Sequence, residues 1–324
     1  LGLEEFSIQK PIARNYIYEY IFHKLNHELG NISLGYKVVN FVVNGTDRGI
    51  YTIEEGFAKE LIERNGLRNG PIFGINDRAG QQFPNITFDS YSELNWLTNN
   101  PQLLKTGYSV LNGIKYNTED YEKFIDWESW AKFFAVTDLV ETYHGALAKS
   151  VRFYYNPVIG KIQPISFDGH HGTADFSDFI ILDFINKDSN CSWICNERDW
   201  FLRFLFKEEN ILRNEFVNYY LQYLKKITDE KYNTFVLSDT YGYMGKNFTI
   251  ELQGIINKEA QGRTTKLIDN VYLIGSRTCV VGKNHMRLPS IYDPYGKTGF
   301  WLAPLIAGWA SVRTIMKSKY RRGR

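Results

Sequence analysis

The chain contains few cysteines and no large excess of charge of either sign. Only three of its 324 residues are cysteines, Cys191, Cys195 and Cys279. This count excludes a disulfide framework and leaves at most a local Cys191–Cys195 pair. The net charge is +2, so nothing in the composition favours nucleic acid as a partner. The 44% apolar content predicts a soluble globular protein with ample material for a core.

The sequence also lacks a stretch suited to crossing a membrane. The apolar segment at residues 299–312 contains Pro304 and is shorter than the roughly 20 residues that a spanning helix needs. Together with the basic residues 317–324 it could rest on a membrane surface. We favour a buried segment followed by a solvated tail. The chain begins at Leu1 within a strand-like pattern, so we treat it as a fragment or a processed form.

The sequence contains no internal repeat and no low-complexity linker. The elements of its N-terminal part are therefore predicted from local residue patterns. A helix is predicted over residues 12–29, because apolar residues recur every four positions between a proline and Gly30. Residues 36–55 are rich in β-branched and aromatic residues and surround an Asn-Gly turn. They predict a β-hairpin. A short polar helix is expected near residues 58–65.

The middle of the chain predicts a helix, a loop and a second hairpin. Residues 76–117 are richer in Asn, Gly and Pro and look like an irregular insertion. A longer helix is predicted over 126–143, with Asp126 as its N-cap. After a short loop, the hairpin at 151–167 delivers Asp168 to the end of its second strand.

Two acids lie on or beside the apolar face of the 126–143 helix. On a helical wheel Glu141 falls inside the apolar arc and Asp138 lies at its edge. A carboxylate on a buried face is costly unless it is paired, hydrogen-bonded or bound to a metal. Glu141 either reaches solvent at the helix end or is placed to face the loop and the hairpin behind it.

The order of elements brings the helix-end acid, Ser150 and Asp168 toward one place. Kinase-type phosphoryl transfer requires such a set. One acid orients the attacking hydroxyl group, a neighbouring oxygen or amide group ligates Mg²⁺, and an aspartate after a strand holds the metal near the phosphates. An Asp-Gly pair alone would more often mark a turn.

Five segments resemble the CotH-type spore-coat protein kinases, a family with an atypical kinase-like fold. These are FSIQKP (6–11), RNYIYEY (14–20), VVNGTDRGIYTIEE (42–55), VRFYYNPVIGKIQPI (151–165) and FDG (167–169). The spacing of Gly49, Tyr51 and Glu55 after the Asn-Gly turn is a fairly specific mark of the family.

The resemblance implies an α+β, two-lobed kinase-like fold in which the first strands of the small lobe are missing from this chain. The implied divisions are a small-lobe segment at 1–75, an insertion at 76–117, a large lobe at 118–290 and a tail at 291–324. It implies ATP with Mg²⁺ or Mn²⁺ as cofactors and a Ser/Thr-rich protein as acceptor. The family also suggests a cell-surface, spore-coat or secreted location.

The resemblance also implies roles for individual residues. Asp168 resembles the metal-binding aspartate, and Glu141, with Asp138 as its rival, resembles the catalytic base. Glu55 lies in residues 54–60, the segment expected to form the hinge beside the nucleotide. Arg14 is a candidate to pair with an acid or a phosphate, or is a surface residue of the helix.

Departures from the family pattern keep a second interpretation open. Ser150 stands where the family commonly has Asn, and Glu141 where many members have Asp. The alternative is a catalytically degenerate pseudokinase that serves as a structural or binding protein on a surface or in a coat.

Histidines offer a third interpretation. Asp168 and His170, with His171 and Asp175, could form the metal site of a hydrolase, and His170 is therefore a candidate metal ligand. His23 and His27 lie one helical turn apart, a spacing that can bind a metal, but the sequence indicates no third ligand near them.

Overall fold

The computed structural model describes about half of the chain. The described residues are 3–14, 17–76, 86–92, 94–116, 118, 121–140, 142–169, 200, 204–208, 211–228, 279–281 and 284–286. All of them belong to one unit, Leu1–Pro289. The tail predicted at 291–324 and the apolar segment within it lie outside the described residues.

Three antiparallel strands form an N-terminal sheet in the order β1-β4-β3, with β1 at Phe6–Gln9, β3 at Tyr36–Val43 and β4 at Thr46–Glu55. The predicted hairpin is confirmed. Val43 pairs with Thr46, so Asn44 and Gly45 form a two-residue loop, and both have positive φ, 50° and 76°. Such a loop suits the type I′ turn that fits the twist of paired strands.

The first helix begins later than predicted. Pro11–Arg14 forms a 3-10 helix, and the α-helix α1 covers Ile17–Glu28. Its predicted apolar face is confirmed at Ile21 and Leu25, each 1% exposed. The helix ends before Gly30, whose φ of 80° lies in the left-handed region that favours glycine.

A second, five-stranded sheet has the order β2-β8-β7-β5-β6. Its strands are β2 at Ile32–Ser33, β5 at Ile72–Asn76, β6 at Thr87–Ser90, β7 at Arg152–Asn156 and β8 at Lys161–Ser166. The predicted hairpin of β7 and β8 is confirmed, since Asn156 pairs with Lys161 across the turn. Strand β2 runs parallel to β8, and the other pairs are antiparallel.

This sheet joins segments that the sequence assigned to different parts of the chain. Strand β5 pairs with β7 through Ile72 and Tyr154, so the division predicted at residue 75 falls within a strand. The prediction of an irregular segment at 76–117 is wrong for its described part. That part contains β6, α3 at Leu94–Asn99 and α4 at Pro101–Tyr116. Helix α4 forms despite the polar composition of the segment, because packing buries its Val110, Leu111 and Ile114.

In the core, helix α5 at Trp127–Val140 packs against helix α6 at Asn214–Ile227. Asp126 accepts hydrogen bonds from the backbone and the hydroxyl of Ser129, which confirms its capping role. The helix ends at Val140 rather than near Tyr143, and a 3-10 helix follows at Tyr143–Ala146. Trp130, at 0% exposure, packs against aromatic rings from the helix, from the sheet and from two residues later in the chain, namely Phe133, Phe134, Phe153, Trp200 and Phe204.

The remaining described elements are short. They are α2 at Lys59–Arg64, a 3-10 helix at Tyr121–Phe124, and the strand pairs β9 with β10 (Phe206–Glu208, Ile211–Leu212) and β11 with β12 (Cys279–Val281, Asn284–Met286). Among the helices described, none has the length and apolar character needed to cross a membrane. The fold is α+β, as predicted.

Candidate active site

The candidate site is built around Asp168, two residues beyond the end of β8. Its backbone has a φ of 53°, in the left-handed region that aspartate tolerates better than most residues. Gly169 follows in a place with no room for a side chain. A Cβ there would lie 2.8 Å from Cδ1 of Phe22 and 2.9 Å from Cβ of Thr142. The Asp-Gly turn is thus packed tightly between α1 and the residues after α5.

The loop after α5 holds the Asp168 carboxylate and backbone. The Ser150 hydroxyl donates a hydrogen bond of 2.8 Å to Oδ2 of Asp168. Nδ1 of His144 lies 2.9 Å from the Asp168 carbonyl oxygen and 3.2 Å from its Oδ2. Because a carbonyl oxygen can only accept, Nδ1 of His144 carries a proton. Both side chains are buried, so they fix the direction of the carboxylate.

Arg14 reaches the same carboxylate from the 3-10 helix that follows β1. Its Nη1 forms an ion pair with Oδ1 of Asp168, and its Nη2 lies 3.5 Å from Oε2 of Glu54. The Arg14 and Asp168 side chains are each 14% exposed, so the pair is only partly open to water. The guanidinium group therefore links two carboxylates from different sheets.

Neighbouring acids at the end of β4 have different contacts. Glu54 accepts a 3.0 Å hydrogen bond from the Gln9 side chain and faces Arg14. Burial raises the pKa of Glu54, and the charge of Arg14 opposes that rise. Glu55, the predicted cofactor-binding residue, instead accepts the Gly35 amide at 2.7 Å and pairs with Arg64. Alternation along the strand separates the two carboxylates.

Glu19 completes the inner wall of the site from helix α1. Its carboxylate accepts a 3.0 Å hydrogen bond from the Gly169 amide and lies 3.2 Å from Nε2 of His23. Burial alone would raise the pKa of Glu19. The hydrogen bond and charge of His23, with the charge of Arg14 and the Gly169 amide, bring it below the ordinary value.

The 3-10 helix after α5 lies against the Asp-Gly turn. A Cβ on Gly145 would lie 2.6 Å from the carbonyl oxygen of Phe167, so the loop and the turn are in close contact. Glu141 lies outside the described residues. Asp138 is 1% exposed and accepts a 2.7 Å hydrogen bond from the Tyr220 hydroxyl on α6. Burial and the nearby Asp138 charge raise the pKa of Tyr220 well above its ordinary value.

An aromatic cluster connects the turn to the segment predicted as the hinge. The Phe167 ring lies 4.9 Å from the Phe57 ring. The buried Arg152 guanidinium stacks on both, and on Tyr91, at 4.5 to 5.4 Å. Burial lowers the pKa of Arg152. A pocket opens beside this cluster, lined in part by Phe57, Ala58, Lys59, Ile72 and Trp96.

A protein-family model decides the affiliation of the chain. The model described as CotH kinase protein matches residues 4–258, which is well over half of the 324 residues. The chain belongs to the CotH kinase family. No curated protein matches it significantly. As a CotH-family chain it has the α+β character expected, and each of the five quoted segments lies within the matched residues.

Three of the residues chosen from the CotH resemblance are brought together, namely Arg14, Ser150 and Asp168. Glu55 and Asp138 contact other groups, and Glu141 and His170 lie outside the described residues. The sequence analysis missed Glu19 and Glu54 as part of the site. Alternation along β4 could have drawn attention to Glu54, but no local signal relates it to Asp168.

Proposed function

We propose that this CotH-family chain is a protein kinase that transfers the γ-phosphoryl group of Mg-ATP to Ser or Thr hydroxyl groups of a protein. One observation carries the proposal. Asp168 follows a strand in a left-handed turn, and Ser150, His144 and Arg14 converge on it from two other parts of the chain. Kinase chemistry relies on positioning the reactants and neutralising their charge. Three largely buried side chains that meet at one carboxylate can do both.

The oxygen donors at Asp168 fit a hard divalent cation. Mg²⁺ prefers carboxylate and neutral oxygen ligands, and Asp168 with Ser150 offers both types. Bound Mg²⁺ would neutralise charge on the phosphates during transfer. Arg14 pairs with the same carboxylate, and guanidinium groups also form bidentate hydrogen bonds to phosphate oxygens. We therefore assign Arg14 to the phosphates and Asp168 to the metal.

Glu141 is our choice for the catalytic base. During transfer the bond from the γ-phosphorus to its bridging oxygen breaks and a bond to the acceptor hydroxyl oxygen forms. The hydroxyl proton passes to a carboxylate. Asp138 is buried and bonded to Tyr220, which favours a structural role for it. Thr142, next to Glu141 in sequence, packs against Gly169, which supports Glu141 as the acid beside the turn.

We place the nucleotide base near the pocket at Phe57 and Trp96. This pocket adjoins the predicted hinge residues 54–60, and Phe57 is linked to the metal turn through Phe167. Glu55 supports this segment through its bonds to Gly35 and Arg64, so its proposed effect on the nucleotide is indirect. The same proposal includes a kinase-like, two-lobed arrangement. The family name points to the spore coat as the location.

Nucleotide binding by the intact protein tests this proposal. Thermal unfolding is measured with and without ATP plus Mg²⁺ or Mn²⁺, for the natural protein and for Asp168→Asn, which keeps the tolerance for left-handed backbone. Asp89→Asn on the exposed face of β6 is the control. We expect a nucleotide-dependent rise in Tm that Asp168→Asn abolishes and Asp89→Asn keeps. Equal shifts in all three proteins would refute the assignment of Asp168.

A pseudokinase is the second candidate. Ser150 offers a hydroxyl rather than an amide oxygen, and Arg14 occupies one side of the Asp168 carboxylate, so a metal must compete with a built-in cation. Transfer of labelled phosphate from ATP to a Ser-rich acceptor separates the two candidates. A protein that shows the Tm shift and no transfer above that of Asp168→Asn is a pseudokinase.

A further inference from the structure

Three buried side chains at the inner wall of the candidate active site have no part in the phosphoryl transfer proposed above. Glu19 and His23 come from one face of α1, four residues apart, and Glu54 comes from the end of β4. One ligand atom from each residue lies within 4.8 Å of the other two. Their side chains are 0%, 4% and 4% exposed, so water cannot balance their charges.

The hydrogen bonds of Ser33 determine which nitrogen of His23 is available. The Ser33 hydroxyl donates its only proton to the His23 carbonyl oxygen at 2.8 Å. Its 3.3 Å contact with Nδ1 of His23 must therefore be a bond that Nδ1 donates. This leaves Nε2 to face the Glu19 carboxylate at 3.2 Å. A histidine that binds a metal usually donates its other ring N–H to an oxygen atom, and the Ser33 hydroxyl can take that part here.

Two buried atoms in the cluster are short of hydrogen-bond partners among the described residues. Oε1 of Glu54 has none, and Nε2 of His23 has only its 3.2 Å contact with the Glu19 carboxylate. An unsatisfied buried polar atom is costly, and in natural proteins it often marks a missing ion or water. Charge points the same way. Glu19, Glu54 and Asp168 supply three carboxylates near the guanidinium group of Arg14. With His23 neutral, as a metal ligand must be, a dication would remove the excess negative charge.

We propose that Glu19, His23 and Glu54 form a binding site for a first-row divalent metal ion such as Zn²⁺, separate from the Mg²⁺ proposed at Asp168. Imidazole with carboxylates suits Zn²⁺ and its neighbours better than Mg²⁺. Ligand atoms of a tetrahedral ion at these bond lengths lie about 3.4 Å apart, so atoms that now lie within 4.8 Å of one another must close in by as much as about 1.4 Å on binding. The ion would clamp α1 to β4 behind Arg14.

His23 and His27 have a metal-binding spacing in the sequence, which indicates no third ligand near them. The structure supplies two acids beside His23, one from its own helix and one from β4. His27 is exposed and is not part of the cluster. This makes His27→Gln a matched control for His23→Gln, since both variants change a histidine on the same helix.

The test is titration of the metal-stripped intact protein with Co²⁺ and Zn²⁺ in the absence of nucleotide. Co²⁺ is followed by its visible absorption and Zn²⁺ by calorimetry. We expect one equivalent to bind with an absorption spectrum showing nitrogen and oxygen ligation. Loss of a ligand should weaken binding at least about tenfold in His23→Gln, and His27→Gln should bind as the natural protein does.

A second variant distinguishes the loss of a metal ligand from misfolding of the protein. Glu54→Gln keeps the shape of the side chain and removes one ligand charge, so it should also weaken binding while circular dichroism stays unchanged. Asp168→Asn should retain the site even as it loses the response to Mg-ATP. Absence of binding in the natural protein, or binding by His23→Gln and Glu54→Gln as tight as that of the natural protein, would overturn the proposal.

Discussion

Ser150 donates a hydrogen bond of 2.8 Å to Oδ2 of Asp168 and so connects the loop after α5 to the turn after β8. The bond is enclosed by buried groups, and His144 contacts both of its partners. A single hydroxyl therefore orients the carboxylate on which the proposed metal chemistry depends.

We expect Ser150→Ala to weaken binding of Mg-ATP about tenfold, because the carboxylate loses its oriented partner and the metal loses a neutral ligand. Ser150→Asn, which introduces the amide common in the family, should bind at least as tightly as the natural protein. Thr106→Ala, which removes an exposed hydroxyl of α4, serves as the control. Calorimetry with Mg²⁺ and a non-hydrolysable ATP analogue gives the affinities. Identical affinities for Ser150→Ala and the control would exclude this role.

Removing Arg14 should have opposite effects on stability and on metal binding. Breaking a fully buried ion pair costs 3–5 kcal/mol, and partial exposure of this one reduces the expected cost of Arg14→Ala to about 2 kcal/mol. Lys24→Ala, which breaks a helix-surface pair with Glu28, should cost less than about 0.5 kcal/mol. Urea unfolding measures both.

The same Arg14→Ala variant should bind free Mg²⁺ more tightly than the natural protein, since its Asp168 carboxylate has no competing cation. Its affinity for ATP should fall, because the proposed phosphate ligand is gone. Tighter binding of both Mg²⁺ and ATP would argue that Arg14 only blocks the site.

Tyr220→Phe tests whether Asp138 has a structural role. The substitution deletes the hydroxyl that bonds to a carboxylate buried between α5 and α6, so we expect a loss of about 2 kcal/mol in the free energy of unfolding. Tyr219→Phe, at a neighbouring position that is 37% exposed, should change it by less than about 0.5 kcal/mol. If Tyr220→Phe is as stable as the control, the hydrogen bond contributes little to folding and Asp138 becomes a candidate for the catalytic base.

The contribution of Glu19 to stability should depend on pH. Its pKa is lower in the folded protein than the ordinary value of 4.5, so folding favours the charged form. The stabilisation is therefore present above about pH 4.5 and is lost as the pH falls through the folded pKa. Glu19→Gln should be less stable than the natural protein by about 1–3 kcal/mol near pH 7.

Unfolding curves of the metal-stripped protein, recorded from pH 7 to pH 3, check this prediction. The difference between Glu19→Gln and the natural protein should shrink steadily below pH 4.5, because the natural carboxyl group becomes neutral too. Glu28→Gln, on the solvent side of the same helix, should show a small difference at every pH. A Glu19→Gln deficit that stays constant to pH 3 would contradict the lowered pKa.

Local chemistry made much of the fold predictable. Asn44-Gly45 specifies a two-residue turn because both positions need positive φ, and the strand pattern on either side then sets the hairpin. The α5 helix and its Asp126 cap follow from apolar periodicity and a short side chain at the right place. The irregular segment was predicted wrongly because composition hides α4, whose burial depends on distant partners.

The sequence by itself determined the two hairpins, the helix between them and the placing of Asp168 just beyond a strand. These features depend on turn chemistry and on side-chain repeats among neighbouring residues, which act within a few positions. Only the tertiary structure decided that Arg14 pairs with Asp168, that Glu54 rather than Glu55 faces it, and that Glu19 and Glu54 approach His23. Such contacts join residues far apart in the chain, and they arise only when packing of the sheets against α1 and α5 brings those residues together.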